Sequence, residues 1–140
     1  MHMDQVSLVA PVMALVLWTL VIWAWMYATR IPAMQKAGID PQDAARTGSL
    51  DLPREIMQIS DNYNHLMEQP TIFYATALAT QVAGLADGTA ATLAWAYVGL
   101  RVVHSLIQCT SNNVTARFAV FSLSTIALVV LAVRTALAAF

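Results

Sequence analysis

Residues 8–28 read LVAPVMALVLWTLVIWAWMYA, a run with no charged residue and Thr19 as its one hydroxyl outside the aromatics. An α-helix rises about 1.5 Å per residue, so this run covers roughly 30 Å, the thickness of the hydrocarbon layer of a bilayer. Pro11 falls in the first turn, where a missing N–H does little harm. Trp18, Trp23, Trp25 and Tyr27 crowd the second half, as aromatic residues do near a membrane interface. Met1 to Ser7 carry no Lys or Arg, so the basic start of a secretory leader is missing. The run therefore reads as a retained membrane helix, which Arg30 and Pro32 are expected to end.

The rest of the chain agrees. Of 140 residues, 59% are hydrophobic and 11% charged, where soluble domains carry about 25% charged residues. This is the composition of an integral membrane protein, and the length fits one domain, residues 1–140. A net charge of −1 argues against a nucleic-acid partner, which calls for a basic surface. The one cysteine, Cys109, excludes an internal disulfide and any cysteine-based zinc site.

Further along, residues 31–52 form a polar connection with turn chemistry at Gly38-Ile39-Asp40-Pro41, which a short helix can follow. Asp51 is the expected N-cap of a second helix over residues 53–86, longer than the hydrocarbon layer is thick. Pro70 lies inside it and is expected to kink it. Ala86-Asp87-Gly88 is a tight connection. A third helix is expected over 89–108, a polar break over Thr110 to Asn113, and a fourth helix over 115–137. The fold class is all-α, an integral membrane four-helix bundle. Four of the seven Lys and Arg residues (Arg30, Lys36, Arg46, Arg54) lie in or beside the first loop. The positive-inside rule makes that loop and the helix 3–4 turn cytoplasmic.

Two polar stripes carry the chemistry. Gln58, Asp61, Asn62, His65 and Glu68 step along one face of the second helix. Tyr97, Arg101, His104 and Gln108 step along one face of the third. Ionisable groups facing lipid are costly, so Glu68 and Arg101 are expected to face a partner, a cavity or a ligand. Paired with each other, they would lock the two helices together. Facing a ligand, Arg101 offers five donors in a planar fork to a carboxylate. His104 and Gln108 read either as helix–helix contacts or as extensions of a ligand site. His65, His104 and Glu68 lack the spacing of a helical metal motif, and no metal is expected. Arg117 opens the fourth helix. It reads either as a snorkelling cation or as a charge placed to stabilise a thiolate or oxyanion.

The run Asn62-Tyr63-Asn64-His65-Leu66-Met67-Glu68-Gln69-Pro70 with Phe73-Tyr74, followed by Gly99-Leu100-Arg101-Val102-Val103-His104-Ser105, resembles the MAPEG family, the membrane-associated proteins of eicosanoid and glutathione metabolism. The resemblance covers nearly the whole chain and points to a prokaryotic-type member. It implies a homotrimer, in a bacterial inner membrane, that binds glutathione between subunits. Implied reactions are glutathione transfer to hydrophobic electrophiles, reduction of lipid hydroperoxides, or isomerisation of lipid endoperoxides. On that resemblance Glu68 and Arg101 match the peptide-binding glutamate and arginine. His104 matches the histidine three residues on. Arg117 matches the arginine that activates the thiol and is the catalytic candidate. Asn62, His65 and Gln108 join the ligand-binding candidates, with Arg30 contributed by a neighbouring chain. The sequence departs from the family's pattern in three places. Its second helix carries no arginine after Arg54, His65 stands at the asparagine position, and Gln108 replaces a tyrosine.

Two classes of function stay open. One is a glutathione-dependent transferase or peroxidase acting on a hydrophobic small molecule at an intersubunit site. The other is a non-catalytic scaffold, lipid-binding module or accessory subunit of a membrane complex, which the missing arginines favour.

Overall fold

A computed structural model of the chain describes residues 6–140, and every regular element among them is helical. The elements are α1 (Val9–Ala37), α2 (Pro41–Thr47), α3 (Arg54–Glu68), α4 (Pro70–Val82), α5 (Gly88–Cys109) and α6 (Val114–Ala139). Three of them, α1, α5 and α6, are long and apolar enough to cross a membrane.

The first helix outruns its expected end. It passes through Arg30 and Pro32 and stops at Ala37. Pro32 removes one hydrogen-bond donor but does not break the helix, as proline often does not in membrane helices. Gly38 provides the stop. It adopts φ 65°, and its N–H bonds Gln35 while that of Ile39 bonds Met34. This paired closure needs a left-handed residue, which glycine supplies without a side-chain clash. At the other end, the Leu8 N–H donates to Oε1 of Gln81 on α4 at 2.7 Å, which ties the start of α1 to a neighbouring helix.

The turn at residues 38–41 and the short helix after it form as read, with Asp40 accepting from the Gln42 N–H at 2.8 Å. Asp51 does not cap the next helix. That helix begins at Arg54, with Pro53 as its flanking residue and no side-chain cap. The long second helix is divided into α3 and α4 at Gln69, as Pro70 led one to expect. Gln69 keeps helical angles (φ −59°, ψ −37°), so the division is an interruption of the helix at Pro70 and not a loop. The expected end at Ala86 moves back to Val82, because Gly84 repeats the left-handed closure at φ 70°. Asp87 and Asn113 cap α5 and α6 by accepting from Ala90 and Ala116.

Packing places α5 at the centre. It lies against α6, α1 and α3, while α4 lies against α6 and α1. Leu15, Ile22, Leu66, Phe73, Tyr97 and Leu131 are fully or almost fully buried. Phe73 and Tyr97 stack with ring centroids 4.5 Å apart. Leu17, Leu20, Phe118, Val129 and Val133 point outward, as side chains facing lipid do. Lipid tails are as apolar as leucine, so close packing and polar contacts must hold such helices together.

Candidate functional site

The stripe on α5 is buried along its whole length: Tyr97, Arg101, His104 and Gln108 all face inward. Arg101 has no exposed surface. Its Nη2 donates to Nδ1 of His65 at 2.9 Å and to the His65 carbonyl at 3.2 Å. The guanidinium carbon sits 5.5 Å from the centroid of the Phe121 ring on α6. The remaining donors, Nε and Nη1, have no partner among the described residues. Among the described residues no carboxylate pairs with this cation.

The expected Glu68–Arg101 lock does not form within the chain. Glu68 is exposed. The reason is helical register. The buried positions of α3 include Gln58, Asn62 and Leu66, one turn apart. Glu68 follows Leu66 by two residues, about 200° around the helix, and so points to the opposite side. His65 takes the place facing Arg101. Asp61 is neutralised by Arg54, Nη1 to Oδ2 at 2.9 Å.

Below Arg101 runs a polar seam between α3 and α5. Gln58 donates from Nε2 to the carbonyls of Cys109 at 3.2 Å and Thr110 at 3.1 Å. It thereby satisfies acceptors that the end of α5 leaves open. Asn62 is completely buried and lies against the Cys109 thiol, yet its Oδ1 and Nδ2 lack partners of hydrogen-bond geometry. Ser105 Oγ, Gln108 Oε1 and His104 Nδ1 are likewise buried and unpartnered among the described residues. Such groups are rare in folded proteins, and each costs roughly 1–3 kcal/mol if left so. Their concentration at one level of the molecule sets it apart from an ordinary core.

His65 and His104 pack with ring centroids 4.9 Å apart, and Phe121 meets His65 edge-on at 5.3 Å. Arg117 stands nearby and its charge bears on both imidazoles. Its Nη1 donates to Oδ1 of Asn112 at 2.7 Å, which fixes a half-buried guanidinium at the mouth of α6. With Glu68 turned outward, the His65, His104 and Glu68 grouping does not assemble. No cluster of three metal-ligating side chains occurs among the described residues.

Arg30 lies apart from the other candidates. It lines a cavity of about 410 Å³ with Met34, Ala44, Leu50 and Met57, beneath α2. Two contributors escaped sequence reasoning. Phe121 sits in a uniformly apolar helix and gave no signal. Gln69 stood beside Pro70 in the motif, and only the fold gives it a role. Its Oε1 accepts from Tyr97 Oη at 3.2 Å, and its Nε2 donates to Thr125 Oγ1 at 3.0 Å, so it joins α5 and α6 at the helix break.

Long apolar helices around a buried, cationic polar seam define an integral membrane protein with an internal polar site. The chain belongs to the MAPEG family, whose model matches residues 8–137. No curated protein and no solved structure matches the chain.

Proposed function

We propose that the chain forms a homotrimer of four-helix bundles, α3 and α4 together making the second helix, which binds glutathione at the polar seam. The activity is transfer of glutathione to a hydrophobic electrophile, or reduction of a lipid peroxide. The observation that carries this reading is Arg101, a completely buried guanidinium with two donors unpartnered and no acid pairing with it among the described residues. An unpaired buried charge costs several kcal/mol, and supplying it with an anion recovers that cost.

The donor set fits glutathione in charge. Arg101 suits a carboxylate of the peptide, Glu68 points away from the seam, and Asp61, an acid on α3 that would repel the ligand, is held by Arg54. His104 and Gln108 line the same face of α5, and His65 and Asn62 the facing side of α3. Arg117 adds a fixed positive charge that favours an anionic sulfur over a neutral one. Glutathione, when bound, supplies the thiol. Residues 1–140 act as one domain. The membrane proposed is a bacterial inner membrane, and the basic residues of the first loop favour a cytoplasmic position for that loop.

The second reading is a non-catalytic scaffold, lipid-binding module or accessory subunit. The Arg101–His65 bond and the Phe121 ring over the guanidinium favour it, because both treat Arg101 as a helix lock. Calorimetric titration with glutathione in detergent separates the two. Wild type should bind at millimolar ligand or below, and Arg117→Ala and Arg101→Met should bind at least tenfold more weakly. No heat at millimolar glutathione overturns the enzyme reading. Dissociation of the trimer by Arg101→Met, read from its mass in detergent, supports the lock.

A further inference from the structure

The last turns of α1 form one wall of a second cavity, of about 670 Å³, on a different face from the polar seam. Its walls are Ala28, Pro32, Ala33 and Ala37 of α1, with Pro53 and Ile56 at the start of α3. Apart from Ile56 these are small or rigid apolar groups. Thr29 also lines it, but its hydroxyl is turned to the carbonyls of Trp25 and Met26. Lys36 is the one charged residue of the lining, and it forms no ion pair among the described residues. Ligand pockets of roughly 300–1,000 Å³ are typically built this way, mostly apolar with a few polar groups that fix orientation.

The length of α1 sets the depth of this groove. The uncharged run 8–28 by itself spans the hydrocarbon layer. Ala28 therefore lies at the edge of that layer, and Lys36, eight residues on, lies at the level of the headgroups. A lysine there reaches back along its own stem toward the interface. The groove thus runs from the edge of the acyl layer at Ala28, over an apolar floor at interfacial depth, to a cation at phosphate depth. That order matches one occupant, a glycerophospholipid with net negative charge.

We propose that the groove between the end of α1 and the start of α3 is a binding site for an anionic phospholipid, with the phosphate at Lys36, the glycerol and ester region along Ala33 and Pro32, and the acyl chains entering the hydrocarbon layer at Ala28. The site is independent of glutathione binding. It selects lipids by charge at Lys36 and admits any of them by the apolar floor.

Native mass spectrometry of the full chain in detergent tests this, using equal amounts of phosphatidylglycerol and phosphatidylcholine with the same acyl chains. One lysine near a membrane surface is worth roughly a fivefold preference for an anionic lipid. Wild type should retain phosphatidylglycerol over phosphatidylcholine by about that ratio. Lys36→Gln should bring the ratio to one, and Lys36→Arg should keep it. Ala33→Phe fills the groove and should lower retention of both lipids. Circular dichroism of each variant confirms the helical fold. Equal retention of the two lipids by wild type overturns the proposal, as does a preference that survives Lys36→Gln. An Ala33→Phe variant that keeps its lipid but loses its oligomeric state also overturns it, because the groove would then be covered by a second copy of the chain.

Discussion

Nη2 of Arg101 lies 2.9 Å from Nδ1 of His65, and this bond fixes the tautomer of the imidazole. Arginine donates and never accepts, so Nδ1 must carry the lone pair and Nε2 the proton. His65 is therefore a neutral acceptor for a buried cation, and it leaves the guanidinium's charge uncompensated. Removing either partner then has unequal effects. His65→Ala strands Arg101 with the backbone carbonyl alone and should lower stability by about 2 kcal/mol, the typical value of a hydrogen bond to a charged group. Arg101→Met removes the buried charge and should leave stability within about 1 kcal/mol of wild type, or raise it. Thermal unfolding in detergent measures both. Arg101→Met as the more damaging change would mean that Arg101 is held for packing alone.

Gln69 gives a second, independent test of what holds the helices at the break. Its amide accepts from Tyr97 and donates to Thr125, so one side chain bridges α5 and α6 from the end of α3. Gln69→Leu keeps the volume and loses both bonds, leaving the Tyr97 hydroxyl without its acceptor. The expected cost is about 1–3 kcal/mol. Thr125→Val removes one bond only and should cost less. Equal melting temperatures for wild type and Gln69→Leu would remove the bridge from the account.

What the sequence made legible follows periodicity and turns. The spacing of Tyr97, Arg101, His104 and Gln108 correctly implied one face, and the structure buries all four. The tight connection at Ala86-Asp87-Gly88 and the polar break over Thr110 to Asn113 placed the starts of α5 and α6 to within a residue. Errors arose where one residue type serves two ends. Pro32 reads as a stop, but in an apolar helix it is tolerated, and the left-handed Gly38 decides the end. Gly84 likewise decided α4 before the Asp87 turn was reached. Glu68 shows a subtler limit. Membership of a three-or-four-residue stripe spans more than 100° of helix, and the sequence does not say which edge is buried. Only the packing of Leu66 and Asn62 against α5 turned Glu68 outward. The bridging role of Gln69 depends on two other helices and has no local signature.

The ion pair between Asp87 and Arg134 gives the protein an acid-sensitive contact at the α4–α5 turn. Arg134 Nη2 donates to Asp87 Oδ2 at 2.8 Å, and Asp87 Oδ1 caps Ala90 at 2.7 Å. The Arg134 bond first, and the Ala90 N–H second, hold the carboxyl below its ordinary value of 3.8. A depressed folded-state pKa adds stability that is complete above the unfolded value and fades as pH falls through the folded one. This contribution should be intact at about pH 5 and above, and should fade progressively as pH falls below about 4 and through the folded-state value. Asp87→Asn keeps a capping side chain but cannot titrate, so it should flatten this part of the profile of melting temperature against pH. Arg134→Gln removes the larger cause and should shrink the acid-sensitive part without abolishing it. Asp87→Ala loses cap and pair together and should melt lowest at neutral pH. An unchanged acid limb in Asp87→Asn would assign that limb to another carboxyl.

Asn112 holds Arg117 by an unusual backbone, and its two roles are separable. The residue adopts φ 51°, a left-handed conformation that asparagine accepts more readily than most residues, while its Oδ1 takes the Arg117 guanidinium. Asn112→Gly relaxes the backbone but releases Arg117. Asn112→Ala releases Arg117 and also adds the left-handed penalty, about 1 kcal/mol. The glycine variant should thus be the more stable of the two by that amount in thermal unfolding. Ordering a freed arginine costs about 0.5–1.5 kcal/mol, so both variants should bind glutathione roughly twofold to tenfold more weakly than wild type, and to the same extent as each other. Stability tests the backbone role even if no glutathione binds, and the equal affinities test the anchoring. A glycine variant that binds like wild type, while Arg117→Ala does not, would show that Arg117 reaches its ligand without Asn112.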